Sequence, residues 1–273
     1  MDQFSGLKEL PAGINEPGGL RVTFPEVPPG QVDQDEEFCW VDFGGERRRI
    51  RFHDYHEIYA VPGLYEYIFY DKLGCQSPSL LGTLLAYEVE REGLRMEALN
   101  VLDVGAGNGI MGEVLADAGV ESMVGVDILP EAAEAARRDR PGLYRVYHRV
   151  DLLDPPAGTA RALEETTFNC LTLVAALGFG DIPPAVFATA FNFIVDGGFV
   201  AFNLKEDFLS SRYTTGFAAL LRRMEAEGWL DVRMRVRYVH RYSIAGDPLH
   251  YVGIVGRKRC DLPARELQGE PSG

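Results

Sequence analysis

Lysine is almost missing from this chain. Of its 27 basic residues only Lys8, Lys72, Lys205 and Lys258 are lysine, and 41 acidic residues leave a formal net charge of −14. That balance weighs against a general affinity for nucleic acid, because such affinity comes from neutralising phosphates. The arginine- and alanine-rich usage is one associated with GC-rich bacterial genomes. Cysteine is equally sparse: Cys39, Cys75, Cys170 and Cys260 stand apart without C-x-x-C spacing. Neither a zinc site nor a disulfide framework is suggested, and reduced thiols in a cytoplasmic protein are the default. No apolar run approaches the roughly 20 residues of a membrane span. Residues 1–37 are rich in Pro, Gly and acids and carry no apolar core behind basic residues, so they read as neither signal peptide nor span. Internal repeats are missing as well. With 46% hydrophobic content over 273 residues, one large core is expected, with at most a small appendage.

What the chain does contain is concentrated in Val101-Leu-Asp-Val-Gly-Ala-Gly-Asn-Gly109, an apolar strand running into a glycine turn and then a helix. Glycine suits such a turn because the backbone angles exclude a Cβ and because a ligand can then lie against the main chain. Asp103 sits two positions before Gly105, where a carboxylate repels phosphate and attracts an amine. A literal G-x-G-x-x-G exists at Gly107, Gly109 and Gly112, but it is offset into the helix rather than starting at the strand end. Residues 110–118 have helical apolar spacing and stop at Gly119. Residues 122–127 form a second apolar strand ending in Asp127, about 20 positions beyond the loop, the distance at which a βαβ unit brings a carboxylate to ribose hydroxyls. Asp127 also reads as an N-cap for the helix begun by Pro130 and Glu131. A third strand-like segment, 144–154, ends in Asp151 and Asp154, which also read as solvated loop acids.

The pattern Asp103, Gly105, Gly107, Gly109 resembles motif I of the class I S-adenosylmethionine-dependent methyltransferases, over roughly residues 80–257. The resemblance implies an α/β, Rossmann-like, doubly wound, seven-stranded and mostly parallel sheet with an antiparallel last strand. It implies that S-adenosyl-L-methionine binds and S-adenosyl-L-homocysteine leaves. Asp103 would hold the methionine amino group, directly or through water, and Gly105, Ala106 and Gly107 would pack against the cofactor. Asp127 with Ile128 would bind ribose, Asp151 with Leu152 would receive adenine, and Ala176 would complete the wall. The pair Tyr70-Asp71 resembles one found before the cofactor domain in many small-molecule methyltransferases, which places Tyr70 near the cofactor.

The remaining segments continue the alternation of strands and helices. Residues 168–177 read as a central buried strand. Residues 184–195 read as a helix, which Gly197-Gly198 breaks before a strand at 199–204. An amphipathic helix at 215–227 is capped by Gly228, and 230–242 with 250–255 look like the closing antiparallel pair. The expected division is a flexible arm at 1–37, a hairpin and lid at 38–78, the methyltransferase domain at 79–259 and a tail at 260–273.

Substrate chemistry is expected from the segment before the sheet. His53, His56, Tyr59, Tyr65, Tyr67, Phe69, Tyr70 and Asp71 form an aromatic and titratable cluster that reads either as a pocket lining or as core. His53 and His56 are candidate general bases, since imidazole titrates near neutral pH; structural hydrogen bonding is the alternative. Their H-x-x-H spacing lacks further ligands, so no metal is expected. His148, His240 and His250 read as packing or sheet-edge residues. The arginines 47, 48, 49 and 51 follow Gly44-Gly45 on a hairpin arm and read as a charged strand edge, with anion binding as the alternative. The loop after the fourth strand lacks Asn-Pro-Pro-Tyr, which argues against methylation of exocyclic adenine or glutamine amide nitrogens. Asp181, Asn203 and Glu206 depart from the acidic metal set of catechol-type enzymes.

The expected function is metal-independent, in-line methyl transfer to an O, N or S atom of a small molecule, as in bacterial enzymes with the type 11 or type 12 methyltransferase domain. The expected partner is that acceptor, with no nucleic acid and no membrane, and a homodimer is compatible with the sequence. The alternatives are a non-catalytic cofactor-binding or partner-activating subunit of the same fold, and a nicotinamide-dependent oxidoreductase using Gly107 to Gly112.

Overall fold

The computed structural model describes residues 20–177, 182–209 and 216–267. Three strands, β1 (Arg21–Thr23), β2 (Phe38–Phe43) and β3 (Glu46–Arg51), make a small antiparallel sheet in the order β1-β2-β3. Gly44 and Gly45 both take positive φ, 62° and 85°, the geometry that matches a two-residue hairpin turn to the twist of its strands. Next come α1 (Tyr55–Ala60), α2 (Leu64–Glu66) and a π-helical turn at Tyr67–Lys72.

The main sheet contains β4 (Asn100–Val104), β5 (Ser122–Asp127), β6 (Val146–Arg149), β7 (Phe168–Leu177), β8 (Ile194–Lys205), β9 (Leu230–Tyr242) and β10 (Pro248–Lys258). Its order is β6-β5-β4-β7-β8-β10-β9. The ladders from β6 to β8 are parallel, and β10 runs antiparallel to both β8 and β9. This is the expected doubly wound, Rossmann-like sheet. Helices α3 (Ser77–Arg91), α4 (Ile110–Asp117), α5 (Pro130–Asp139), α6 (Ala157–Glu164), α7 (Pro184–Asn192) and α8 (Gly216–Ala226) connect the strands, and α9 (Ala264–Leu267) follows them.

Because neighbouring strand residues point to opposite faces, the core splits in two. Val101, Cys170, Phe199 and Val255 pack with Leu85 of α3 and Leu115 of α4. Leu102, Leu171, Val200 and Ile254 pack with Phe187 of α7 and Leu221 of α8. The strand order reverses beside β4, between β5 and β7, so the chain leaves a crevice beyond the carboxyl ends of these strands, where open α/β sheets bind ligands.

Several expectations need correction. Strand β8 starts at Ile194, not 199, and α7 ends at Asn192. Gly197-Gly198 lies inside the strand, where the β7–β8 register shifts between Phe168↔Ile194 and Cys170↔Phe199. A Cβ on Gly198 would stand 2.9 Å from the Val195 carbonyl oxygen. The glycines therefore make a bulge, which absorbs extra residues without ending the pairing.

Residues 20–37 differ from the expected flexible arm: Leu20, Gln34 and Glu37 are buried and β1 pairs with β2. Composition misread them because their few apolar groups find burial only against distant strands. The tail expectation also changes: Leu262 is buried, its N–H donates to Asn192 Oδ1 at 2.8 Å, and Asn192 Nδ2 donates back to its carbonyl at 2.9 Å. Residues 1–19 of the arm, 268–273 of the tail, Thr215 at the start of α8 and Asp181 lie outside the described residues. No described helix is long and apolar enough to cross a membrane.

Candidate active site

A cavity of about 480 Å³ opens at the carboxyl ends of β4, β5 and β7, within the size range of small-molecule and cofactor sites. Its floor includes Val104 and Gly105 from β4 and its loop, Asp127 at the end of β5 with Ile128 after it, Asp151 and Leu152 after β6, and Ala175 and Ala176 at the end of β7. Its cover comes from His53, Tyr55, His56, Tyr59 and Tyr65 of the N-terminal unit. Ile128 is 62% exposed and sits at the rim, whereas Leu152 is buried.

Gly105 takes φ +66°, and a Cβ there would stand 3.0 Å from Ala176 Cβ and 3.1 Å from Ile182 Cδ1. The close approach of backbone to cavity thus depends on glycine. Asp127 supports the loop from below: its Oδ2 accepts from Gly107 N–H at 3.0 Å and its Oδ1 from Leu129 N–H at 2.9 Å. Burial raises its pKa against these backbone bonds. Each carboxylate oxygen keeps lone-pair capacity beyond the one bond, so Asp127 serves both the loop and the cavity wall. Asp151 holds its own turn by accepting from Leu153 N–H at 2.9 Å.

Not every expected residue reaches the cavity. Asp103 is 1% exposed. It falls on the α3/α4 face of the sheet, where it accepts hydrogen bonds from Tyr144 Oη at 2.6 Å and Thr172 Oγ1 at 2.7 Å. Burial pushes its carboxyl up to about 6, against the pull of the two hydroxyls. Asp103 is accordingly not among the residues that line the cavity. Ala106 is buried and its N–H donates to the Val126 carbonyl at 3.1 Å. Gly107 is covered: a Cβ there would meet Tyr59 Oη at 2.4 Å, and its carbonyl accepts from Tyr147 Oη at 2.7 Å. Tyr70 packs in the N-terminal core with Tyr65, ring centroids 6.2 Å apart, and is not on the cavity wall. The resemblance that placed it near the cofactor is thus not met by a place on the wall; helical spacing, which reads these rings as core, describes its packing.

Sequence reasoning missed Tyr144 and Tyr147. A Cβ on Gly109 would stand 3.3 Å from Tyr144, one on Gly112 2.6 Å from its hydroxyl, and one on Gly125 2.9 Å from Tyr147. The offset G-x-G-x-x-G glycines are therefore packing sites for tyrosine rings rather than a phosphate cradle. The signal was present as glycine at three positions that face one segment, but no single-strand pattern exposes that.

The cover is clamped down. Arg140 donates to Glu66 Oε1 at 3.0 Å and pairs with Glu113 at 2.9 Å, Asn108 Nδ2 donates to the same Glu66 oxygen at 2.7 Å, and Arg138 donates to the Tyr59 carbonyl at 3.2 Å. The rings of Tyr59 and Tyr65 lie 5.0 Å apart and those of Tyr65 and Phe69 4.8 Å, within the spacing of stabilising aromatic pairs. His53 is half-buried and His56 exposed. The arginine run is accounted for locally: Arg47 lies over Trp40 and Arg49 over Phe38, while Arg48 pairs with Glu46 and Arg51 with Asp54. Glu206 pairs with Arg237, and Asn203 is buried among Ser77, Tyr238 and Ala175, so the two do not converge on a metal position. His148 and His250 lie on β6 and β10, and His240 is buried on β9, its imidazole held neutral by burial.

The residues fit S-adenosylmethionine: a glycine-lined backbone approach, a carboxylate at the end of β5 and apolar walls from Leu152, Val174 and Ile182 occupy one cavity. Residues 76–245 match the model of a methyltransferase domain family. The chain belongs to that family, as an S-adenosylmethionine-dependent methyltransferase of the class I fold. The N-methyltransferase NodS from Bradyrhizobium japonicum WM9, solved with S-adenosyl-L-homocysteine, superposes with TM-score 0.53 at 15% identity, covering 76% of this chain and 97% of that one. Magnesium protoporphyrin IX methyltransferase from Synechocystis PCC 6803 with bound S-adenosylmethionine gives 0.47 at 13% identity, covering 66% and 79%. A putative RNA methyltransferase from Pyrococcus horikoshii gives 0.48 at 14%, covering 67% and 81%. These likenesses are of fold. No curated protein sequence matches the chain.

Proposed function

We propose that the protein transfers a methyl group from S-adenosyl-L-methionine to an O, N or S atom of a small molecule, without a metal. The observation that carries the reading is the cover: Tyr55, Tyr59 and Tyr65 close the 480 Å³ cavity from above, leaving room suited to a compact acceptor and not to a duplex or a folded chain. The net charge of −14 supports the same choice over nucleic acid.

The bound cofactor supplies an electrophilic methyl group on a sulfonium. In this reading Asp127 accepts from the ribose hydroxyls while keeping the glycine loop in place, and Asp151 with Leu152 takes the adenine. Gly105 and Ala176 let the cofactor lie against the main chain, with Ile128 at the rim. Asp103, Ala106 and Gly107 hold the loop's shape rather than touching the ligand. His53, on the wall, is the candidate to receive the acceptor's proton, with His56 at the rim as the outer candidate. The tyrosine cover excludes water, and fixed geometry does the rest of the catalysis. We place the enzyme in the cytoplasm on its four free thiols.

Calorimetric titration with S-adenosylmethionine, S-adenosylhomocysteine and NAD is the first test: saturable binding of the first two alone is expected. Product release is then followed with pools of small metabolites, RNA and protein. Turnover confined to the RNA or protein pool would falsify the small-molecule assignment.

A further inference from the structure

Beside the main cavity lies a second, much smaller one of about 30 Å³, and the two share His53, Tyr55, Tyr65 and Ala175 as a common wall. Thirty cubic ångströms accommodate one or two water-sized groups. Phe52, Phe69, Tyr55 and Tyr65 give it aromatic sides, while Gln34, Arg241 and Tyr251 contribute polar groups.

Two features define what fits there. Gln34 is only 7% exposed, and its Nε2 donates to Tyr251 Oη at 2.9 Å, but its Oε1 has no hydrogen-bond partner. A buried acceptor left unmatched keeps its full desolvation penalty, and a donor placed in the recess would relieve it. The one arginine or lysine on the described wall, Arg241, is already neutralised: its guanidinium donates to Glu37 Oε2 at 2.5 Å and to the Tyr242 carbonyl at 2.9 Å. No free arginine or lysine among the described lining residues of either cavity awaits an anion.

The common wall is also where the backbone departs from ordinary geometry. Ala175 takes φ +58°, the one non-glycine residue with positive φ among those described. Its N–H donates to Asn203 Oδ1 at 2.7 Å, and Asn203 is fixed in turn by Ser77 and Tyr238. Such a conformation persists only where surrounding structure over-determines it, and here it shapes the partition between the two cavities.

We infer that the recess behind Ala175 is the acceptor's anchoring site, taking the hydrogen-bond donor of a compact, uncharged, ring-bearing molecule onto Gln34 Oε1. The inference rests on the small-molecule reading above and narrows it: carboxylates and phosphates are excluded as anchoring groups because, among the described residues lining the recess, the one guanidinium is spent on Glu37. Only the donor group enters the recess, while the ring lies against Tyr55 and Tyr65 on the cofactor side of the wall, where the larger cavity has room for it.

The test uses the full chain saturated with S-adenosylhomocysteine, titrated by ligand-observed NMR with phenol, anisole and benzoate. Phenol has the ring and the donor, anisole lacks the donor, and benzoate adds the charge. Saturable phenol binding is expected, with anisole and benzoate at least about tenfold weaker, the value of one well-made hydrogen bond. Gln34→Leu should weaken phenol about tenfold while leaving S-adenosylhomocysteine affinity unchanged, which also shows that the variant folds. Equal binding of benzoate or anisole, an unaffected Gln34→Leu variant, or no phenol binding at all overturns the inference, the last meaning that the recess holds water only. Failure of S-adenosylhomocysteine to bind in the first step instead overturns the cofactor reading itself.

Discussion

Asp103 shows how one side chain can be expected for one reason and retained for another. Its motif position suggested a ligand contact, whereas it lies under the loop with two hydroxyls on its oxygens. Its pKa near 6 in the folded chain has a consequence for stability. Between about pH 4 and 6 the folded state keeps this proton while the unfolded chain loses it, so rising pH removes stability across that window. Two pKa units correspond to roughly 3 kcal/mol. Asp103→Asn, neutral throughout, should lose this share, and its unfolding free energy measured in urea should decline less than the wild type's from pH 4 to 6.5. Parallel profiles for the two proteins would sink the assignment. At the cavity, Gly105→Ala forces a Cβ into a positive-φ position against Ala176 and Ile182, costing about 1–2 kcal/mol in backbone alone. Asp127→Ala leaves the N–H groups of Gly107 and Leu129 without their acceptor, about 1–3 kcal/mol each if they stay dry. Both variants should bind S-adenosylmethionine at least about tenfold more weakly by calorimetry, with Asp127→Ala the worse of the two.

At the scale of elements, the N-terminal unit is held to the rest of the chain by buried polar contacts as well as by Tyr55, Tyr59 and Tyr65 packing on Leu129, Ala132 and Ala135. Glu37 is 0% exposed and Arg241 3%, and Glu37 Oε1 also accepts from Ile244 N–H at 2.7 Å. The Arg241 guanidinium lies over the rings of Phe52 and Phe69 at 5.7 and 5.8 Å. Breaking a buried pair from one side leaves a charge without compensation, at a cost of about 3–5 kcal/mol, whereas replacing both partners by apolar groups is far milder. Glu37→Leu and Arg241→Met should each destabilise by that amount, and the double variant by much less than their sum. Additive losses in the thermal unfolding of the four proteins would show that the pair acts independently. Because this unit carries the tyrosine cover, the single variants should also weaken cofactor binding.

For the whole molecule, charge is the property that acts at a distance. The methyl donor carries one positive charge more than its product, and a surface of net charge −14 attracts the first more than the second. Raising ionic strength from about 20 mM to 500 mM shortens the screening length from tens of ångströms to a few. Affinity for S-adenosylmethionine should fall several-fold across that range and affinity for S-adenosylhomocysteine stay nearly constant. Equal salt dependence for both would mean that local contacts, not the overall field, set the preference.

The sequence by itself determined the sheet. Continuous apolar runs ending at Gly105, Asp127 and Leu177 mark strands buried on both faces of a parallel sheet, and β5 and β7 begin and end where those runs do. It also carried the glycine turn at the end of β4, since glycine at Gly105 answers a local backbone requirement. Tertiary structure decided whatever depends on which face a residue meets. Asp103 and Tyr70 turned away from the cavity, Tyr144 and Tyr147 came to fill the space above Gly109, Gly112 and Gly125, and residues 20–37 gained order from Tyr251 and Arg241, more than 200 positions away in the chain. The physical reason is range. Backbone geometry and hydrophobic alternation are written within a few residues, whereas the partner of a buried polar group is chosen by packing between segments that local pattern cannot connect.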